Sequence, residues 1–344
     1  MRFEALDSWR GICALIVAAF HFPIMGLIKG QPVVEHAYLF VDFFFVLSGF
    51  VIGWGSERKL QRPYEVWPFV LKRFGRIWPL HVALLALFVG VSVVRGDLGA
   101  DGQHSIPSIF TNLTMIHGLG VHDQLTWNDP SWSISVEFLL YLLFAALSLT
   151  PHRTAIYLGL IAGSLAILVF WAPQGMASTF DFGIYRGMAG FFTGVLIARL
   201  PVRDHGRAAE LVVTAGVAFF VTTGALQFLA PLVFGLAVAI FAGSTGAIAK
   251  GLSTKIPAKL GEWSYSIYMT HTVFVAIIWA VGPRLGLGRN GPHLTADPLV
   301  ELAIFAAYIA AVIGVSVVSY TFFEAPVRDW FNRLAKGKRI AAVA

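Results

Sequence analysis

Cysteine occurs once in the 344 residues, at position 13, which excludes any disulfide within the chain and any cysteine-clustered metal site. Charge is scarce as well. Asp, Glu, Lys and Arg make up 13% of the chain, where a soluble domain carries about a quarter. The nucleotide-binding and hydrolase signatures are also missing: there is no P-loop, no G-x-G-x-x-G, no G-x-S-x-G nucleophile elbow and no H-E-x-x-H. No internal repeat, low-complexity tract or second domain interrupts the pattern.

What remains is apolar. The chain is 57% hydrophobic with a mean hydropathy of +0.73, and runs of about 17–25 apolar residues, enough to cross ~30 Å of hydrocarbon, recur from end to end. The expected fold is an all-α, polytopic membrane helix bundle of about ten transmembrane helices, at roughly 9–28, 37–55, 77–95, 131–149, 155–172, 184–199, 208–224, 229–248, 263–282 and 298–322. The first run carries a histidine, has no small-residue cleavage site and is followed by further spans, so it reads as a helix and not as a signal peptide. With the N-terminus in the cytoplasm, twenty of the 25 Lys and Arg fall on the inner side, leaving Lys29, Arg95, Arg186, Arg284 and Arg289 for the outside. Both termini are therefore expected to be cytoplasmic, and the net charge of +6 reflects topology and lipid headgroups, not a nucleic-acid partner.

Against this background the ionisable residues inside apolar runs stand out, because such groups face a protein interior or a wet cavity and mark function by default. In LDSWRGICALIVAAFHF (6–22), Asp7, Arg10 and His21 share one helical face: eleven residues separate Arg10 from His21, about 20° in phase and ~16 Å in depth. The plain reading is a snorkelling Asp–Arg pair and a core histidine; the functional one is a polar stripe leading inward. In NDPSWSISVEF (128–138), Asp129 and Pro130 read as N-cap and N1 of a helix. That places Glu137 about 10 Å inside the opposite surface, at a depth near that of His21, where a carboxylate can orient a base. Ser48 in VDFFFVLSGF falls at mid-depth with Asp42 nearer the outer surface, and WSYSIYMTH puts Tyr268 and His271 at i, i+3. Lys72, Arg73 and Arg76 sit at the expected inner mouth of the third helix, either as a positive-inside cluster or as an anion clamp gripping phosphates. Three histidines of the outer loop 96–130 (His104, His117, His122) are spaced by 13 and 5, and no metal is expected there.

Taken in order, LDSWRG with His21 beyond it, DFFFVLSGF, RFGR, WSISVEF, YSIYMTH and FFEAP around Glu324 resemble the acyltransferase-3 family of integral membrane O-acyltransferases over nearly the whole chain. The chain looks like the stand-alone form, without an extra extracellular domain, and is similar to members that modify exopolysaccharide sugars. It divides into a transmembrane domain over 1–330 and a short basic cytoplasmic tail over 331–344. The resemblance implies acyl-CoA, most simply acetyl-CoA, as co-substrate, a carbohydrate hydroxyl as acceptor, the inner (plasma) membrane as location, and polysaccharide-assembly proteins as partners. Arg73 and Arg76 would hold CoA phosphates, with the pantetheine arm passing Arg10. His21 would act as general base or as acyl-carrying nucleophile, supported by Arg10, Glu137 and Asp7. Ser48, Asp42, Trp132, Tyr268 and His271 would meet substrate. A proton-coupled secondary transporter or an export partner is the rival reading; such transporters show internal repeats, which this sequence lacks.

Overall fold

The computed structural model describes residues 3–291 and 293–343, and the side chains as far as 337. Arg2, Lys338 and Arg339, three of the expected inner-side basic residues, lie outside the described residues or side chains, as does Ala344. The chain is 75% helical. In order, the helices are α1 (Glu4–His21), α2 (Pro32–Glu35), α3 (Phe40–Ser56), α4 (Val66–Arg95), α5 (Ile106–Leu113), α6 (Trp132–Leu147), α7 (Arg153–Phe170), α8 (Gly183–Ile197), α9 (Gly206–Thr223), α10 (Ala230–Gly243), α11 (Ala247–Leu252), α12 (Lys255–Val281), α13 (Pro298–Ser319) and α14 (Ala325–Val343). A two-stranded antiparallel hairpin, β1 (Gly288–Asn290) and β2 (His293–Thr295), is the one departure from the all-α expectation among the described residues. Its turn contains Gly291 at φ +55°, in a polar, glycine-rich stretch with little helix propensity.

Ten of these helices correspond to the ten expected runs. Among the described residues seven spans are long and apolar enough to cross a membrane, which makes this a polytopic membrane helix bundle. Two more apolar helices are shorter, Gly183–Ile197 and Gln227–Gly243, and α1 carries Glu4, Asp7 and Arg10 within eighteen residues.

Several boundaries move, and each has a local cause. α1 occupies 4–21, not 9–28: Glu4 and Asp7 favour a helix N-terminus, and Pro23 drives Phe22 into an extended conformation (ψ 126°) that stops the helix. His21 is thus the last residue of its helix and not a mid-helix residue. α4 starts at Val66, and Pro79 lies within it, so Arg73 and Arg76 sit two to three turns inside the helix and not at its mouth. Asp129 is not the N-cap: Asn128 occupies that position ahead of a 3-10 turn, and Asp129 instead accepts from Gln103 Nε2 at 3.1 Å. After α13 a π-helical turn, Tyr320–Glu324, precedes α14, where Pro326 has no N–H to continue an α-helix. The segment read as a tail from 331 is the second half of α14.

The chain resolves into two contact-dense units. One comprises Met1–Val41, Val202–Gln227 and Ile240–Tyr320. In it α1 and α12 meet backbone to backbone: a Cβ on Gly11 would overlap the Leu260–Gly261 peptide, and one on Gly261 would overlap Asp7 and Ser8. Tyr308 of α13 donates to Ala18 O at 2.9 Å, and Ser8 donates to Leu252 O at 2.6 Å. Beyond His21, Leu294 of β2 pairs with residues 23–25, accepting from Met25 N at 2.9 Å and donating to Pro23 O at 3.0 Å. Glu301 accepts from Leu27 N and Ile28 N at 2.8 and 2.9 Å, fixing the turn that follows.

The other unit comprises Asp42–Pro201, Phe228–Ala239 and Thr321–Ala344. Its α3 and α8 also touch through glycine, Gly49 against Phe191 O and Gly194 against Val46 O. An aromatic layer of Phe69, Tyr141, Phe144, Tyr157, Phe191 and Phe192 fills the space between α4, α6, α7 and α8. At one edge Glu57 binds both Arg153 and Arg199.

Candidate functional site

In the first unit the polar stripe of α1 lies along α12. Arg10 does not reach away from the protein: its Nε donates to Ser264 Oγ at 2.7 Å and its Nη2 to Gly261 O at 3.0 Å, with Asp7 Oδ1 3.4 Å from the same nitrogen. The glycine contact is what brings the carbonyl of residue 261 within reach. Eleven residues beyond Arg10 on α1, His21 meets α12 again. His21 Nδ1 lies 2.9 Å from Val17 O and 3.2 Å from His271 Nε2, and the two rings are 4.9 Å apart at 48°. His271 is fully buried (0% exposed), and its Nδ1 lies 3.3 Å from Ile267 O. Tyr268, one turn before it, has its ring centroid 6.1 Å from that of His271. α1 and α12 therefore place two groups along one seam, Asp7 with Arg10 and, about 16 Å further on, His21 with His271 and Tyr268.

In the second unit Glu137 of α6 is the centre of a separate group. Ser48 Oγ of α3 and Tyr141 OH of α6 both donate to Glu137 Oε1 at 2.5 Å, and the two hydroxyls are 3.0 Å apart. Arg73 of α4 stands within electrostatic range of Glu137. Its guanidinium carbon lies 5.7 Å from the centroid of the Phe69 ring, and its Nε is buried without a hydrogen-bond partner among the described residues. Arg76, one turn on, is engaged: Nη1 donates to Glu324 Oε1 at 2.6 Å, on the π-helical turn before α14. The two arginines of the pair are thus unlike in their surroundings.

Asp42 and Trp132 belong to a third arrangement. Arg186 of α8 grips both Asp42 oxygens, Nε to Oδ1 at 3.2 Å and Nη2 to Oδ2 at 2.7 Å, and donates from Nη1 to Ser178 O at 2.7 Å. Its guanidinium lies 5.4 Å from the Trp132 ring, and the ion pair is 1% and 0% exposed. Arg186, assigned to the outside by charge counting, is a buried residue of α8.

The three histidines of the 96–130 loop go separate ways. His104 pairs with Asp101 at 3.0 Å, and the backbone and ring N–H groups of His104 hold that carboxyl below its usual range. His122 meets Thr111 Oγ1 at 2.7 Å. His117 contacts Ser131 Oγ at 3.0 Å and stacks on His81, rings 5.2 Å apart at 6°; burial lowers its pKa to about 3, so it stacks as a neutral ring. Among the described residues no group of three or more His, Cys, Asp or Glu could hold a metal ion.

Sequence reasoning did not pair His21 with His271, Asp42 with Arg186, or Arg76 with Glu324. For Asp42 a signal existed: a lone arginine in an otherwise apolar helix requires an anion, and Asp42 is one of few carboxylates in an apolar run.

Ionisable clusters on the helices of a polytopic membrane protein mark functional sites, and comparison with known proteins gives their kind. A family model described as an acyltransferase domain matches residues 3–321. The chain belongs to the acyltransferase-3 family of membrane acyltransferases. It is 24% identical to the putative membrane-bound transacylase BcsY of Komagataeibacter xylinus, with 96% of this chain and 84% of that one covered. It is 25% identical to the exopolysaccharide production protein ExoZ of Rhizobium meliloti, covering 88% and 92%. To the peptidoglycan O-acetyltransferase OatA of Listeria monocytogenes it is 23% identical over 94% of this chain, which spans 55% of that protein's length. No solved structure matches this chain.

Proposed function

We propose that this membrane acyltransferase moves an acyl group, most simply acetyl, from cytoplasmic acyl-CoA to a hydroxyl of a cell-surface or exopolysaccharide sugar, with His21 as general base. The observation that carries the reading is His21 itself: a half-buried imidazole at the end of a polar helix face. One edge is held by Val17 and His271, and its Nε2 is taken by no protein group among the described residues. A general base needs a fixed ring and an available lone pair. In the proposed reaction His21 removes the proton of the sugar hydroxyl, and the oxygen attacks the thioester carbonyl. The C–S bond breaks, and the proton passes to the departing CoA sulfur.

Arg73 suits the donor. CoA is too anionic to enter lipid and needs cations at the protein, and the unpartnered Nε of Arg73 is a donor in want of an acceptor. Arg76 would join it by exchanging Glu324 for a phosphate. The exopolysaccharide acceptor is supported by the name of one relative and by similar length, and the plasma membrane by the cytoplasmic origin of acyl-CoA.

The test is acyl transfer by purified protein from labelled acetyl-CoA to oligosaccharide. His21→Ala and His21→Gln should each lose about 10²–10⁴-fold in turnover while acetyl-CoA binding persists. An acyl group trapped on His21 when acceptor is withheld would replace the base role with a nucleophile role. Uptake of solute driven by a proton gradient, without acyl transfer, would favour the transporter.

A further inference from the structure

We infer that His271 is a positioning residue that fixes which nitrogen of His21 bears the proton, so that His21 presents the lone pair of Nε2 to the acceptor hydroxyl. This rests on the base role proposed for His21.

The argument is one of donors and acceptors. A backbone carbonyl can only accept, so a ring nitrogen held against one must carry hydrogen. His21 Nδ1 lies 2.9 Å from Val17 O, and His271 Nδ1 lies 3.3 Å from Ile267 O. Each contact is from a ring to the carbonyl four residues earlier, so the two helices impose the same tautomer on both rings. His271 then has its lone pair on Nε2, the atom 3.2 Å from His21 Nδ1. The His21 Nδ1–H is shared between Val17 O and His271 Nε2, and its own lone pair is left on Nε2. The opposite assignment sets a lone pair of His21 against Val17 O and a lone pair of His271 against Ile267 O, two repulsive contacts in place of attractive ones.

His271 is fully buried and acts on the acceptor only through His21. Its effect grows as the reaction proceeds. When Nε2 takes the hydroxyl proton the His21 ring becomes a cation, and the Nδ1–H bond to His271 becomes charge-assisted. A neutral acceptor at this place therefore favours the protonated ring that forms during transfer and keeps its plane fixed. The backbone carbonyl of Val17 alone moves with α1; His271 ties the same N–H to α12.

The test uses the full-length protein in nanodiscs with ¹⁵N-labelled histidine. Nitrogen shifts should report His21 as the Nδ1–H tautomer, assigned by its loss in His21→Gln. His271→Ala should mix the tautomers and lower kcat about 10- to 100-fold, the scale of a small misplacement in an active site, with KM for acetyl-CoA unchanged. His271→Gln, whose amide oxygen can accept the same N–H, should recover most of the lost turnover. An Nε2–H signal for His21 in the parent protein overturns the inference, and that spectrum decides even where His271→Ala does not fold. Parent-like turnover in His271→Ala with an inactive His21→Ala also overturns it while leaving the base role standing. Full activity in His21→Ala removes the base role itself.

Discussion

Arg76 donates to Glu324 at 2.6 Å, whereas Arg73, one turn earlier on the same helix, keeps a buried Nε without a partner among the described residues. A pair of arginines that looks symmetrical in the sequence is asymmetrical in the fold. The Glu324 side chain is 3% exposed, so Arg76 neutralises a buried carboxylate.

The two arginines should therefore fail differently. Arg73→Ala should raise KM for acetyl-CoA roughly 10- to 150-fold, the loss of one charge-assisted contact at about 1.5–3 kcal/mol, with little change in melting temperature. Arg73→Lys should recover only part of this, lacking the fork. Arg76→Ala should lower the melting temperature as well, since stranding a buried charge costs about 3–5 kcal/mol; Arg76→Ala with Glu324→Ala should regain stability. Thermal melts in detergent beside donor titrations separate these effects.

The buried Asp42–Arg186 pair offers a test of whether Asp42 meets substrate. Either Asp42→Leu or Arg186→Met alone should destabilise by about 3–5 kcal/mol, and the double variant by much less. If Asp42 serves the fold, activity per folded molecule in the double variant should stay near that of the parent. Loss of activity with stability restored would return Asp42 to the substrate path.

Glu137 gathers two hydroxyl donors on one oxygen. Glu137→Gln can keep both bonds through its amide oxygen but loses the charge. Turnover should fall about 10²-fold or more with only a small change in melting temperature if the charge serves the reaction. Ser48→Ala and Tyr141→Phe each remove one donor and should cost far less turnover.

The close approach of α1 and α12 predicts that Gly11→Ala and Gly261→Ala each destabilise, by about 1–3 kcal/mol for an overpacked contact. They should also lower turnover, because pushing the helices apart loosens both Arg10 on Gly261 O and His21 on His271. Melting temperature and kcat should fall together in both variants.

The helices were largely legible as apolar runs, since lipid-facing and core residues alike must be apolar. Their ends were not. The polar start of α1 and the basic start of α4 look like loops by hydropathy. The stripe of Asp7, Arg10 and His21 was legible because helical phase is local. The pairings were not, because His21 and His271 lie 250 residues apart, Arg76 and Glu324 248, and Asp42 and Arg186 144. Nothing in periodicity links positions at such separations. Only the physical requirement that a buried charge find its opposite hints at them.

The two anchor points on α1 make this helix a ruler. Gly11 sets where α1 touches α12, and Pro23, two residues after His21, stops the helix at His21, so the span from contact to base is ten residues with no slack at either end. One residue added or removed between them would leave every side chain type in place. It would still swing the His21 ring by about 100° and shift it by ~1.5 Å, away from His271. The enzyme should thus tolerate apolar substitutions at the half-buried positions Ile12, Leu15, Ile16 and Phe20, and no change in the number of residues between the two anchors.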